Sequence, residues 1–249
     1  MPRVLEHIAP SDTSPDLDYW VDRSTSVFAE HFSEKFLSRT LELNRFVLES
    51  GEKFEGSVFY WNDSETNTHA FPVATLAPAR RNLWRASRFK KCMLEIGVNA
   101  GHSALLALSL NPNLIYYGVD INWHKYTGIC AQFLRQEFGE RFNFFAGDSR
   151  EVLPHLAEQT NLPDFDLFHV DGGHSREICY ADISNCLRLA NKSADAIASH
   201  LLLDDVNASW IYDVYCQYVS SGQLMSETFF FDWEDTNRNV LARIFKRKF

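Results

Sequence analysis

From about Ala100 onward, short apolar runs alternate with amphipathic stretches, and one further apolar run, Lys91 to Ile96, precedes them. Lys91 to Ile96, Leu114 to Val119, Phe142 to Ala146, Phe165 to Val170 and Ile197 to Leu203 have the length and apolar character of buried strands. Between and after them, His102 to Ser109, His124 to Phe138, Arg150 to Glu158, Ser175 to Leu189 and Ala208 to Ser221 read as helices. Strand and helix in alternation predict an α/β fold with a largely parallel sheet, because parallel neighbours need a long crossover between them. Two more strand-like runs, Glu227 to Phe231 and Val240 to Lys246, are joined by the polar stretch from Asp232 to Asn239. So short a link demands an antiparallel pair. The expected architecture is a Rossmann-like, seven-stranded, mostly parallel sheet with the last strand antiparallel and helices on both faces.

Residues 1–85 follow a different pattern. Helix-like segments around Tyr19 to Glu49, with a helix-start signature at Asp16 to Trp20, lead into an aromatic, polar stretch from Phe59 to Ser64. Ala77 to Arg88 reads as a basic helix entering the first core strand. The expected division is a mainly helical extension over residues 1–85 and a ligand-binding domain over 86–249. Such sheets bind ligands at the carboxyl ends of their strands, which leaves a crevice needing a cover. A lid over that crevice is therefore the favoured use of the extension; an element through which two copies pair as a homodimer is the other.

The first core strand runs into Glu95-Ile96-Gly97-Val98-Asn99-Ala100-Gly101-His102-Ser103. This is a strand, a glycine turn and a helix start. Gly97 and Gly101 lack the Cβ that would stop the backbone turning sharply beneath a bound molecule, and helix N-termini favour anionic groups. Glycines at this spacing also occur in ordinary turns and helix contacts. The acidic Glu95 just before the first glycine points instead to a ligand that also carries a cationic amino group. At the end of the second strand, Asp120 follows the turn by ~20 residues, the place of a carboxylate that accepts hydrogen bonds from ribose hydroxyls. Asp148 ends the third strand at the same rim, as a helix cap, a ligand contact or both.

The fourth strand ends in His169-Val170-Asp171-Gly172-Gly173-His174 and the fifth in Asp204-Asp205. Three acids converging on one rim repel one another unless a cation neutralises them. Asp171, Asp204 and Asp205 therefore make an all-oxygen site suited to Mg²⁺ or a similar hard ion, with helix caps and solvated turns as the alternative. His174, sharing a turn with Asp171, suits a general base, because an imidazole titrates near neutral pH. A hydrogen bond behind the site is its other role. His169, inside the strand, reads as a satisfied core histidine, and His102 as a packing or capping residue. Trp123 is placed to lie against a ligand ring or to pack, and Phe59, Tyr60, Trp61, Trp210 and Tyr212 are candidate walls of an aromatic pocket.

Composition narrows the class. At 249 residues, 45% hydrophobic and 14% aromatic, the chain can bury a full core. A net charge of −9 argues against a nucleic-acid surface. The basic run Lys246-Arg247-Lys248 is short and reads as a solvated strand edge. The five cysteines, Cys92, Cys130, Cys179, Cys186 and Cys216, form no CxxC pair and are expected as free thiols in a reducing compartment. Cys179 and Cys186, two helical turns apart, are expected in a helix interior. No signal-like or membrane-length apolar stretch is present in the sequence, so a cytoplasmic protein without a membrane partner is expected.

Taken together, Glu95 to Ser103, Val119-Asp120, Gly147-Asp148-Ser149, Val170 to Ser175 and Asp204-Asp205 resemble a class I S-adenosylmethionine-dependent methyltransferase over roughly Lys91 to Phe249. Within that superfamily the chain is most similar to small-molecule O-methyltransferases, including the metal-dependent branch typified by catechol O-methyltransferase. The resemblance implies S-adenosyl-L-methionine across the strand ends and a small-molecule acceptor. Glu95, Gly97, Asn99, Gly101 and Ser103 would lie beside the methionine part. Asp120 would bind the ribose, Asp148 would approach the adenine, and Asp171 would border both donor and acceptor. It also implies a divalent cation, Mg²⁺ or another, on Asp171, Asp204 and Asp205, with His174 and Asp171 at the chemistry. Two positions depart from that branch: Asp205 stands where asparagine is usual, and His174 where a lysine is usual.

Overall fold

A computed structural model of the chain describes residues 33–60, 76–192, 199–227 and 239–245. In chain order the elements are α1 (Glu34–Ser50), α2 (Ala77–Ser87), β1 (Cys92–Ile96), α3 (His102–Leu110), β2 (Ile115–Asp120), α4 (Lys125–Phe138), β3 (Phe142–Ala146) and α5 (Ser149–Glu158). They continue as β4 (Leu167–Val170), α6 (Arg176–Lys192), β5 (His200–Leu203), α7 (Ser209–Ser220), β6 (Leu224–Ser226) and β7 (Val240–Ile244). The strands form one seven-stranded sheet in the order β3-β2-β1-β4-β5-β7-β6. From β3 to β5 every neighbouring pair is parallel, while β7 runs antiparallel to both β5 and β6. The expected mostly parallel, seven-stranded sheet with an antiparallel last strand is the sheet observed.

Strand alternation splits the core into two layers. Cys92, Leu94 and Ile96 of β1 face a layer with α5, α6 and α7, whereas Met93 faces the layer that holds α1 to α4. Phe168 and Val170 of β4 and Leu201 and Leu203 of β5 join the first layer; Leu167 and Leu202 join the second. Glu95 and His169 thus follow Met93 and Leu167 onto the α1 to α4 face. The order reverses between β1 and β4, so the loops after those strands part and leave a crevice at their carboxyl ends.

Helix α1 is well stopped at both ends. The Ser33 hydroxyl accepts from the Phe36 N–H at 3.2 Å, and Gly51 closes the helix in the left-handed region at φ 71°. Its Phe36, Leu43 and Val47 pack into the same layer as Leu83 and Trp84 of α2 and Leu105 of α3, so the residues before the sheet share its core. Arg39 ties α1 to α4 through Glu137 at 2.6 Å.

One strand begins elsewhere than expected. β6 covers Leu224–Ser226, ahead of the Glu227 to Phe231 run, because α7 ends at Ser220 and the turn at Gly222 (φ 72°) feeds the chain straight into the sheet. Of that run, Glu227 alone is described, its N–H donating to the Leu241 carbonyl at 2.9 Å. The helix-start signature at Asp16 to Trp20, the stretch from Trp61 to Ser64, the link from Asp232 to Arg238 and the Lys246 to Lys248 run lie outside the described residues. All five cysteines are free thiols, and Cys179 and Cys186 are buried in the α5 to α7 layer. Among the described residues, no helix is long and apolar enough to cross a membrane.

Candidate active site

A cavity of about 700 Å³ opens at the carboxyl ends of the parallel strands. Its walls are the loops after β1, β2, β3, β4 and β5, closed on one side by a strap, Glu55 to Tyr60, from the segment after α1. Gly97, Asn99, Gly101, Ser103, Asp120, Asp148, Asp171, His174, Asp204 and Asp205 all border it. A second hollow of similar size between α4 and β3, beside Arg135 and Phe144, has none of these acidic strand ends.

The glycine turn is required by the protein's own backbone. A Cβ on Gly97, at φ 90°, would sit 1.9 Å from the Asp171 carbonyl oxygen, and one on Gly101, at φ 80°, would sit 2.3 Å from Leu134 Cδ1. Glycine at 97 therefore lets the loops after β1 and β4 meet beneath the cavity. Asn99, left-handed at φ 53°, donates its N–H to Asp120 at 2.8 Å and its amide to the Gly56 carbonyl at 3.1 Å, joining turn, second-strand carboxylate and strap. Asp120 also accepts the Asn122 N–H at 2.7 Å. A carboxylate has about four lone-pair directions, so capacity for ribose hydroxyls remains. Asp148 caps α5, accepting the Arg150 N–H at 2.9 Å, and the Arg150 guanidinium at 2.5 Å holds its carboxyl below the usual range. Cap and cavity wall are thus the same residue.

Glu95 does not stand where the sequence suggests. It is fully buried and absent from the cavity wall. One oxygen accepts from Ser103 Oγ at 2.8 Å and from the Tyr116 hydroxyl; the other meets His169 Nδ1 at 2.5 Å. Strand alternation turns its side chain toward α3 and β4, behind the turn. Ser103 borders the cavity and carries the acid's influence there. His169 is fully buried. Burial opposes its charge, but the hydrogen bond and charge of Glu95, with Asp204 and Asp205 beyond, raise the imidazole above its ordinary value.

The three rim aspartates separate into two groups. One ligand atom each from His169, Asp171 and Asp204 lies within 4.8 Å of the others, and the same holds for Asp171, His174 and Asp205. The expected trio of Asp171, Asp204 and Asp205 is divided between them. Asp205 is the reason: it adopts the left-handed region at φ 57° and its Oδ2 meets His174 Nε2 at 2.9 Å. That hydrogen bond raises the His174 pKa; burial works against it, and the charges of Asp205, Glu55 and Asp204 add to it. Trp210 at the start of α7 donates its indole N–H to the His174 carbonyl at 2.8 Å, fixing the turn from outside.

Other expected residues divide similarly. His102 packs, as expected: its Nε2 is 2.8 Å from Asn44 Oδ1, the rings of Phe54, Phe59 and Tyr60 surround it, and burial lowers its pKa to about 3. Trp123 borders the cavity and is 81% exposed. Tyr60 also borders it, Phe59 is core, and Trp210 and Tyr212 are not part of its wall. Sequence reasoning misses His124, whose ring meets Glu52 at 3.3 Å and Glu55 at 2.8 Å and so anchors the strap. The spacing of Glu52 and Glu55, three apart beside a glycine, was the available signal.

Residues 94–206, which supply all of the cavity's strand-end loops, match the model of a methyltransferase domain. No curated protein matches the sequence. Among solved structures, the chain is similar to an O-methyltransferase from Bacillus cereus in complex with SAH (14% identity over 92% of this chain and 97% of that one, TM-score 0.57). It is similar also to the O-methyltransferase TomG from Streptomyces achromogenes, involved in tomaymycin synthesis and solved with SAM (17%, 90% and 98%, TM-score 0.53). A third is the SAH-bound Podospora anserina methyltransferase PaMTH1 (13%, 96% and 98%, TM-score 0.59). These likenesses are to the fold, and the family model covers the residues that build the site. Residues 94–206 thus match a methyltransferase domain, and the sheet that carries them has the Rossmann-like fold of these methyltransferases.

Proposed function

We propose that this chain transfers the methyl group of S-adenosylmethionine to a hydroxyl oxygen of a small acceptor. The observation that carries the reading is that His174, paired with Asp205 at 2.9 Å, opens onto the same cavity as the glycine turn, Asp120 and Asp148. A proton acceptor and a nucleoside-binding rim thus share one space. The O-methyltransferases of like fold hold SAM or SAH, which supports the donor.

In this reading Asp120 takes the ribose hydroxyls, Asp148 faces the adenine, and Ser103, held by Glu95, contacts the methionine end. The strap from Glu55 to Tyr60 covers the donor and limits the entry of water. His174 accepts the hydroxyl proton as the oxygen attacks the methyl carbon in line with the departing sulfur. The C–S bond breaks, the new O–C bond forms, and the donor leaves as a neutral thioether. Most of the acceleration comes from holding the reactants in that alignment. Asp205 orients the imidazole and stabilises its protonated form.

The donor set also fits a divalent cation, since Asp171 and Asp204 converge with an imidazole beside them. Such an ion would draw the acceptor oxygens and lower their pKa. A metal-independent reaction is the second reading, favoured by Asp205 being engaged with His174. Calorimetric titration with S-adenosylhomocysteine, followed by an acceptor screen with and without chelator, tests the proposal. Binding with turnover that His174→Ala lowers on the order of 10²-fold or more is expected. Absence of any S-adenosylhomocysteine binding overturns it.

A further inference from the structure

The inner of the two groups around Asp171 has a feature that the outer one lacks. The register of the sheet places His169 beside Glu95 of β1 and beside Leu202 of β5. Two residues further along, Asp171 and Asp204 follow on the same side. Glu95 occupies Nδ1 of His169 at 2.5 Å, while Nε2 has no hydrogen-bond partner among the described residues. The side chain is 2% exposed, so this is a buried imidazole with one nitrogen fixed by a carboxylate and the other open.

We propose, building on the methyltransferase reading above, that this chain's divalent cation is held by His169, Asp171 and Asp204, with Asp205 left to orient His174. A metal-bound histidine usually gives its other ring nitrogen to a carboxylate, which fixes the ring and strengthens it as a ligand, and Glu95 stands in that place. The divided geometry of the rim follows from the same assignment: one carboxylate, Asp205, serves the base, and two serve the ion. An imidazole with two carboxylates favours a divalent first-row transition ion over Mg²⁺, which prefers an all-oxygen shell.

Mn²⁺ serves as the probe, added to the full-length protein and followed by electron paramagnetic resonance. One bound equivalent is expected, with spin-echo modulation from a directly coordinated nitrogen. His169→Asn should remove the modulation and weaken Mn²⁺ binding roughly tenfold or more. Asp204→Asn should weaken it comparably, while Asp205→Asn and His174→Asn leave both affinity and modulation close to those of the unaltered protein. Because Asp204 belongs to the inner group alone, its comparison with Asp205 holds even where His169→Asn does not fold. Modulation that disappears with His174→Asn instead, a larger loss with Asp205→Asn than with Asp204→Asn, or no bound Mn²⁺ at all would each overturn the assignment. S-adenosylhomocysteine titration of the same samples keeps the two questions apart. Intact binding without Mn²⁺ rejects only the metal site, and no binding rejects the methyltransferase reading itself.

Discussion

Asp182 in α6 allows a sharp test of how this site is supported. It has no exposed surface; Oδ1 accepts the Ser149 hydroxyl at 2.6 Å, and Oδ2 is buried without a hydrogen-bond partner among the described residues. Oδ2 lies against the cavity turn, 3.4 Å from where a Cβ on Gly172 would be. Burial pushes the carboxyl from its ordinary 3.8 up to about 6, with the Ser149 hydrogen bond pulling the other way. The unfolded chain therefore releases this proton near 3.8 and the folded chain near 6. Between those values the folded state holds more protons, so stability falls as pH rises through the window, and the full penalty applies above it. The displacement corresponds to ~3 kcal/mol at neutral pH, of which roughly 1.5 kcal/mol develops between pH 5 and pH 8. Asp182→Asn keeps an acceptor for Ser149 and removes the titration, though its buried NH₂ carries a pH-independent cost of ~1–3 kcal/mol. Urea unfolding of both proteins at pH 5 and pH 8 isolates the titration. The variant should gain on the unaltered chain by roughly 1.5 kcal/mol between the two conditions. If the two stability curves run parallel across that range, the burial account of Asp182 is wrong.

Three further changes probe the site itself. In Asp205→Asn the imidazole of His174 loses the carboxylate whose charge-assisted hydrogen bond raises its pKa, keeping at most a neutral acceptor. A base works deprotonated, so activity rises with pH through that pKa; the acidic limb of the rate profile should move to lower pH, with kcat down by roughly tenfold or more. An unmoved limb would separate His174 from the proton transfer. Gly97→Ala forces a Cβ to 1.9 Å from the Asp171 carbonyl at a φ of 90°. It should cost ~2–4 kcal/mol in unfolding experiments and abolish S-adenosylhomocysteine binding, and a near-neutral result would count against the packed turn. Trp210→Phe removes the donor to the His174 carbonyl. A loss of ~1 kcal/mol is expected, with kcat lowered and cofactor affinity unchanged, whereas a fall in cofactor affinity would contradict its acting through the His174 turn alone.

The fold was legible because its signals are local and repeat. Phe142 to Ala146 matches β3 at both ends: the run is apolar, short and ended by Gly147. β6 was misplaced because only Leu224 of its three residues is buried, which leaves no period to detect, while the apolar run begins where the described strand ends. The rim aspartates were legible for a related reason, since Asp171 and Asp204 each follow directly on a strand and Asp205 comes next. The direction of Glu95 was not legible. Its partners Ser103, Tyr116 and His169 come from α3, β2 and β4, and only the packed sheet brings them together. Nor does a sequence announce that Asp205, a residue with a Cβ, adopts the left-handed backbone that turns it from Asp204 toward His174.

That backbone conformation has a mechanistic consequence. Asp171 is common to both groups, so anything that draws it toward His169 and Asp204 draws it from His174 and Asp205. Charge binds the two groups together as well, since Asp204 and Asp205 raise the pKa of both His169 and His174. A cation at the inner group would offset part of that negative field and lower the pKa of His174, making it deprotonated at lower pH. The strap responds to the same field through Glu55, which raises the pKa of His174 and holds His124 at 2.8 Å. One residue of the strap, Glu55, thus bears on His174 by its charge while its partner His124 fixes it in place, and it lies ahead of residues 94–206.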